Sequence, residues 1–192
     1  MADTEQELSH SFNVKLSREL SQELFAIQKQ LRKNISERRD YDPSPHLAIA
    51  TKFMRGSDTQ KFIQALSGEF SEDRAWDLAF VGFSPSETGD YIFLNLSEES
   101  KETLRALHKR ALATTKGVGF EGIGGLPPKY AYDPHISIIK LQPKEVSLAM
   151  EIIGGGFSRA AMKVNSYEVT RQENDKLGFG NFPALKEIRL KS

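Results

Sequence analysis

Apolar residues along this chain follow two different spacings, and the places where one gives way to the other mark out its elements. Phe12, Val14 and Leu16 alternate with polar neighbours, the period of a strand with one buried face. From Ser17 the spacing changes. Leu20, Leu24, Ile27 and Leu31 line one face of a helix, with Ser17 as its expected N-cap and Glu19 in its first turn. Tyr41-Asp42-Pro43-Ser44-Pro45 cannot continue a helix, because two prolines remove donors and fix the backbone. His46 to Phe53 then reads as a buried strand. A helix opened by Ser57 or Asp58 follows, carrying Phe62, Ile63, Leu66 and Phe70 on one side. Trp76–Phe83 and Tyr91–Leu96 read as strands joined by a polar turn.

The second half repeats this rhythm. Glu98 to about Thr115 is helical, with Leu104, Leu107 and Ala111 inward. The Gly-rich stretch 117–125 is expected to be a mobile loop able to lie over a cleft. It lacks the Gly-Lys-Ser/Thr ending of a nucleotide-triphosphatase loop. His135 to Leu141 reads as another buried strand. Pro143 opens a short helix with Val146, Ala149, Met150 and Ile153 on one face, stopped by Gly154-Gly155-Gly156. Strands over Ala160–Thr170 and Ala184–Leu190 close the chain, with a loop over Asn174–Pro183 between them. Residues 1–10 are polar and expected to be a flexible tail.

Set side by side, the halves correspond. YDPSPHLAIA around 41–53 answers YDPHISIIK around 132–141, and the two histidines stand almost half the chain apart. Two copies of one unit point to a pseudo-twofold, lobed fold rather than a solenoid. Residues 1–192 are expected to make a single domain of this kind.

The chemistry follows from the paired strands. Residues i and i+2 of a strand share a face, so His135 projects with Ser137 and His46 with Ala48. If the strands meet about a pseudo-twofold, both imidazoles face one cleft. Two histidines there suit displacement at phosphorus, one neutral and taking a proton, the other charged and giving one. A strand hydroxyl two residues on can donate to a non-bridging phosphoryl oxygen. Ala48 offers none. Ser44 is the nearest replacement, and Thr51 has the opposite parity on an unbulged strand. Tyr41 and Tyr132, in matching leaders, are candidates to contact base or phosphate. His10, in the polar N-terminus, and His108, on a helix, are given no role. Lys101, Arg105 and Lys109 read as a solvated helix face. Zinc would need a further ligand, and no His-Glu-x-x-His or His-x-His spacing occurs.

PHLAIATKF and DPHISIIKL resemble the paired His-x-(Ser/Thr) motifs of the 2H phosphoesterase superfamily, which includes bacterial 2′-5′ RNA ligases and 2′,3′-cyclic phosphodiesterases. The resemblance extends to length, two-half layout and flanking helices. It implies an α+β, bilobal pseudo-twofold fold, with two antiparallel sheets lining a V-shaped cleft and helices packed outside. It also implies hydrolysis of a 2′,3′-cyclic phosphate or 2′-5′ linkage on nucleotides or RNA 3′ ends, without metal or cofactor. It matches His46 and His135 to the catalytic imidazoles and Ser137 to a phosphate-binding hydroxyl, with Ala48 as a departure. The alternatives are cleavage of signalling nucleotides (2′-5′ oligoadenylates or cyclic dinucleotides, as in an immune-evasion enzyme) and a nucleotide-binding module without turnover.

Composition removes several other classes. The 26 basic residues equal the 26 acidic ones, which disfavours broad gripping of duplex nucleic acid. There is no cysteine, which excludes disulfides, thiolate nucleophiles and Cys-ligated zinc. MADTEQELSH is acidic where a signal peptide is basic and then apolar, and no run approaches the ~20 apolar residues of a membrane span. A cytoplasmic monomer with no membrane partner is the expectation, and the sequence identifies no protein partner.

Overall fold

In the computed structural model two helices begin after a serine whose hydroxyl caps them. The structure describes residues 8–35, 44–121, 132–154, 157, 159–171 and 183–192. Helix α1 (Arg18–Asn34) starts after Ser17, whose side chain accepts the Leu20 N–H at 3.2 Å. Its buried face carries Leu20, Leu24, Ile27 and Leu31, as the spacing predicts, and also Gln28, whose amide donates to the Ile138 carbonyl. Helix α2 (Thr59–Phe70) buries Phe62, Leu66 and Phe70. Helix α3 (Glu98–Thr114) starts after Ser97, which accepts from Ser100 N–H, and buries Leu104, Leu107 and Ala111. Helix α4 (Val146–Ile153) follows a 3-10 turn over Pro143–Glu145 and buries Ala149 and Ile153. No helix among the described residues is long and apolar enough to cross a membrane.

Among the described residues nine strands form two antiparallel sheets. They are β1 (Leu8–Val14), β2 (Leu47–Met54), β3 (Trp76–Pro85), β4 (Tyr91–Leu96), β5 (Phe120–Glu121), β6 (Ile136–Lys140), β7 (Ala161–Val164), β8 (Ser166–Arg171) and β9 (Ala184–Arg189). The five-stranded sheet runs β5-β2-β1-β8-β9 and the four-stranded sheet runs β6-β4-β3-β7. Helices α2 and α3 pack with the first sheet, and α1 and α4 with the second. Each sheet draws strands from both halves of the chain, so the sequence repeat and the sheets do not coincide.

Three local differences from the sequence reading have physical causes. Ala160–Thr170 is two strands, because the chain changes sheets at Asn165: β7 pairs with β3 and β8 with β1. Part of the Gly-rich stretch is β5, which pairs Phe120 with Phe53 and Glu121 with Lys52 at the edge of β2. Gly119, at φ +61°, makes that approach possible, since a Cβ there would stand 2.5 Å from the Phe53 carbonyl oxygen. Residues 122–131, and most of the loop expected before β9, lie outside the described residues. The chain is also ordered into β1 earlier than a tail ending at residue 10 would allow. His10 and Ser11 are buried there, with His10 Nδ1 donating to the Leu8 carbonyl and Nε2 accepting from the Thr59 hydroxyl. Two residues on from His10, Phe12 meets the rings of Phe70 and Tyr167 at 4.8 and 5.2 Å. Tyr167 is fully buried and its hydroxyl pKa is pushed up to about 12 by that burial, although Trp76 Nε1 donates to it.

Candidate active site

Two histidines enter the structure in the same way. His46 stands immediately before β2 and His135 immediately before β6. Nδ1 of His46 lies 2.8 Å from the Ser44 carbonyl, and Nδ1 of His135 lies 2.8 Å from the Asp133 carbonyl. A carbonyl only accepts, so each Nδ1 carries a proton and the lone pair of each neutral ring sits on Nε2. Burial is the main influence on both rings and holds both pKa values below the ordinary histidine value, partly opposed by those hydrogen bonds. His135 is also raised by the Asp133 charge and lowered by His46 and Lys101. The two imidazoles therefore sense each other. A charge on His46 disfavours one on His135.

The strands behind the histidines share an irregularity that the sequence did not reveal. In the β1–β2 ladder Phe12 faces Ala50 but Asn13 faces Ala48, leaving Ile49 as an extra residue. In the β4–β6 ladder Ile92 faces Ile139 but Phe93 faces Ser137, leaving Ile138 extra. Both bulges fall at the third residue after the histidine. A bulge reverses the parity of everything beyond it. Thr51, on the wrong side of a regular strand, thus joins the face of Ala48, where its hydroxyl lies 3.0 Å from that of Ser11. Lys140 is its counterpart after His135, with Nζ 5.5 Å from the centre of the Tyr91 ring. The β2 and β6 strands come into contact although they belong to different sheets.

Ser137 is half-buried, on the strand face that follows His135. Phe93, opposite it, stacks on the His135 ring at 3.8 Å and 27°, and Tyr91 stacks in turn on Phe93. The alternation of β4 predicts that Phe93 faces away from the core. Only the register shows that it meets an imidazole.

Tyr132 has a different setting from the one expected of a substrate contact. Its hydroxyl donates to the Ala48 carbonyl at 2.6 Å and its ring stacks on His108 at 4.2 Å. Burial raises its hydroxyl pKa well above the usual tyrosine value. His108, given no role from sequence, donates Nδ1–H to the Ile49 carbonyl at 2.7 Å. Together they cap the carbonyls at the β2 bulge and tie the leader of one histidine to the strand of the other. Tyr132→Phe is expected to lower the unfolding free energy by about 1–2 kcal/mol, because the Ala48 carbonyl loses its donor. Urea unfolding with an unchanged slope measures this, and an unchanged midpoint would contradict the tie.

Tyr41 lies outside the described residues. Ser44 is half-buried and contributes its carbonyl to His46, as described. Lys101 and Arg105 are more than a solvated stripe: they reach Asp133 at 3.4 and 3.7 Å and so brace the leader that holds His135. Among the described residues no group of three or more acidic or histidine side chains could hold a metal ion.

The sequence profile of the 2′-5′ RNA ligase superfamily matches residues 11–176. A comparison with curated proteins gave no match. Among solved structures, the chain is similar to Escherichia coli LigT complexed with 3′-AMP, with a TM-score of 0.65, 12% identity, and 97% of this chain and 100% of that chain covered. It is similar to a crystal structure of a phosphoesterase with a TM-score of 0.66 and 12% identity, over 97% of this chain and 100% of that one. TT0787 of Thermus thermophilus gives a TM-score of 0.64 and 16% identity over 95% and 98%. At these identities the likeness is one of fold. The profile, however, spans most of the sequence, and the chain belongs to the 2′-5′ RNA ligase superfamily of 2H phosphoesterases.

Proposed function

We propose that the chain is a phosphodiesterase that hydrolyses 2′,3′-cyclic phosphate or 2′-5′ phosphodiester bonds of nucleotides or RNA 3′ ends, using His46 and His135 as an acid–base pair. The observation that carries this reading is the equivalence of the two imidazoles. Each has its Nδ1–H held by a carbonyl two residues earlier, which fixes the tautomer and makes Nε2 the basic atom. A neutral Nε2 takes a proton from an attacking water while the oxygen bonds to phosphorus. The charged partner gives its Nε2 proton to the departing ribose oxygen as the P–O bond breaks. The rings exchange protonation states and solvent restores them. Ser137 donates to a non-bridging oxygen as charge builds there. The 3′-AMP bound to LigT in one related structure is consistent with a nucleotide ligand.

The test is product formation by chelator-treated protein on 2′,3′-cyclic mononucleotides, 2′-5′ dinucleotides and cyclic dinucleotides. Release of a nucleoside monophosphate from the cyclic mononucleotides, or cleavage of the 2′-5′ linkage, supports the reading. Cleavage confined to cyclic dinucleotides would move it to the signalling class, and binding without product would make the chain a nucleotide-binding module.

A further inference from the structure

In the second half the residue two places after the histidine is Ser137, whereas in the first half it is Ala48, so a hydroxyl is answered by a methyl group. Across the ladders the exchange runs the other way. Ser137 faces Phe93 on β4, and Ala48 faces Asn13 on β1. Each row holds one polar and one apolar side chain, with the polar member on the histidine strand in one half and on its neighbour in the other. We infer that Asn13 is a substrate-binding residue, its carboxamide donating to the non-bridging phosphoryl oxygen that Ala48 cannot serve. This rests on the phosphodiesterase reading above.

Asn13 is 2% exposed and lies on the face of β1 opposite Phe12, shared with Ser11. Its Nδ2 is 3.0 Å from the Thr170 hydroxyl, while its Oδ1 has no hydrogen-bond partner. A buried polar atom without a partner is uncommon in folded proteins, and a ligand is one way to supply it. Because β1 lies between β8 and β2, an amide tied at one end to Thr170 on β8 has its other end free to serve the β2 row. A half-turn of the amide keeps the tie, with Thr170 Oγ1 now donating to Oδ1, and presents the two N–H donors of Nδ2 in place of Oδ1. Facing Cβ atoms on neighbouring strands stand about 4.5–5.5 Å apart. A carboxamide spans much of that gap, so its donor reaches the space a hydroxyl on residue 48 would fill.

The experiment compares the wild-type chain, Asn13→Ala, Ala48→Ser and the double variant. It reads kcat/KM on a nucleoside 2′,3′-cyclic phosphate and, by calorimetry, the Kd for inorganic phosphate. Asn13→Ala is expected to lower kcat/KM and weaken phosphate by about tenfold to a hundredfold, the loss of one hydrogen bond to a charged group. Adding Ala48→Ser is expected to restore most of both. If Asn13→Ala does not fold, Asn13→Ser keeps a hydroxyl for Thr170, is too short to reach the Ala48 row, and carries the same comparison. Unchanged turnover and phosphate affinity in the Asn13 variant would overturn the proposal and leave the phosphodiesterase reading standing. A wild-type chain that binds phosphate through Asn13 yet turns over no phosphodiester would overturn that reading and leave the contact standing. No phosphate binding and no turnover by the wild-type chain would overturn both.

Discussion

His46→Ala and His135→Ala are each expected to lower kcat by about a hundredfold to ten-thousandfold, the range that positioned proton transfer supplies. The double variant should fall little further. A displacement that has lost its base gains little from a retained acid, so the two losses do not add. Each substitution takes the donor from one leader carbonyl, so unfolding free energies should fall by about 1–2 kcal/mol, a loss that does not account for the fall in kcat. The measurement is single-substrate kinetics in chelator for the four proteins. Two independent losses that multiply would mean that the imidazoles serve separate steps or separate sites. Retained activity in either single variant would remove that ring from the chemistry.

The next largest effect is expected at Ser137. Its hydroxyl follows His135 on the same face, and the β6 bulge lies beyond it, so it keeps the parity of the histidine. Ser137→Ala should lower kcat by about a hundredfold to a thousandfold, as removal of one donor from a developing oxyanion does. Ser137→Thr keeps the donor and should recover most of the rate. A change in KM alone, with kcat intact, would show that the hydroxyl holds the ground state and transition state equally.

Much of this arrangement was legible before any coordinates. Leu20, Leu24, Ile27 and Leu31 bury one helix face because their spacing allows nothing else, and Ser17 caps that helix through its own hydroxyl. The two Tyr-Asp-Pro leaders placed His46 and His135 at matching strand starts, where the structure also has them. The parts that were not legible depend on register. Ile49 and Ile138 are apolar residues among apolar residues, so nothing in their chemistry announces a bulge, yet each turns Thr51 or Lys140 onto the histidine side. His10 looks like part of a polar tail because its partner, Thr59, is remote in sequence. Tyr132 looks like a ligand contact until its hydroxyl is seen to reach Ala48. Asn165 separates two strands only because their partners lie in different sheets.

The proposed chemistry requires both rings to act at one phosphorus, one with its proton and one without. The most direct measurement is kcat/KM against pH for a 2′,3′-cyclic mononucleotide, with chelator present throughout. Burial lowers both pKa values from the usual histidine value of about 6.5, and the charge of one ring lowers the other. The singly protonated pair is therefore most populated on the acid side of that value. A bell-shaped profile with its maximum below about pH 6.5 is the predicted result: activity falls at lower pH as the base is protonated, and at higher pH as the acid loses its proton. A profile that rises through neutrality to an alkaline plateau would contradict the two-histidine mechanism, because only a deprotonated group would then be needed.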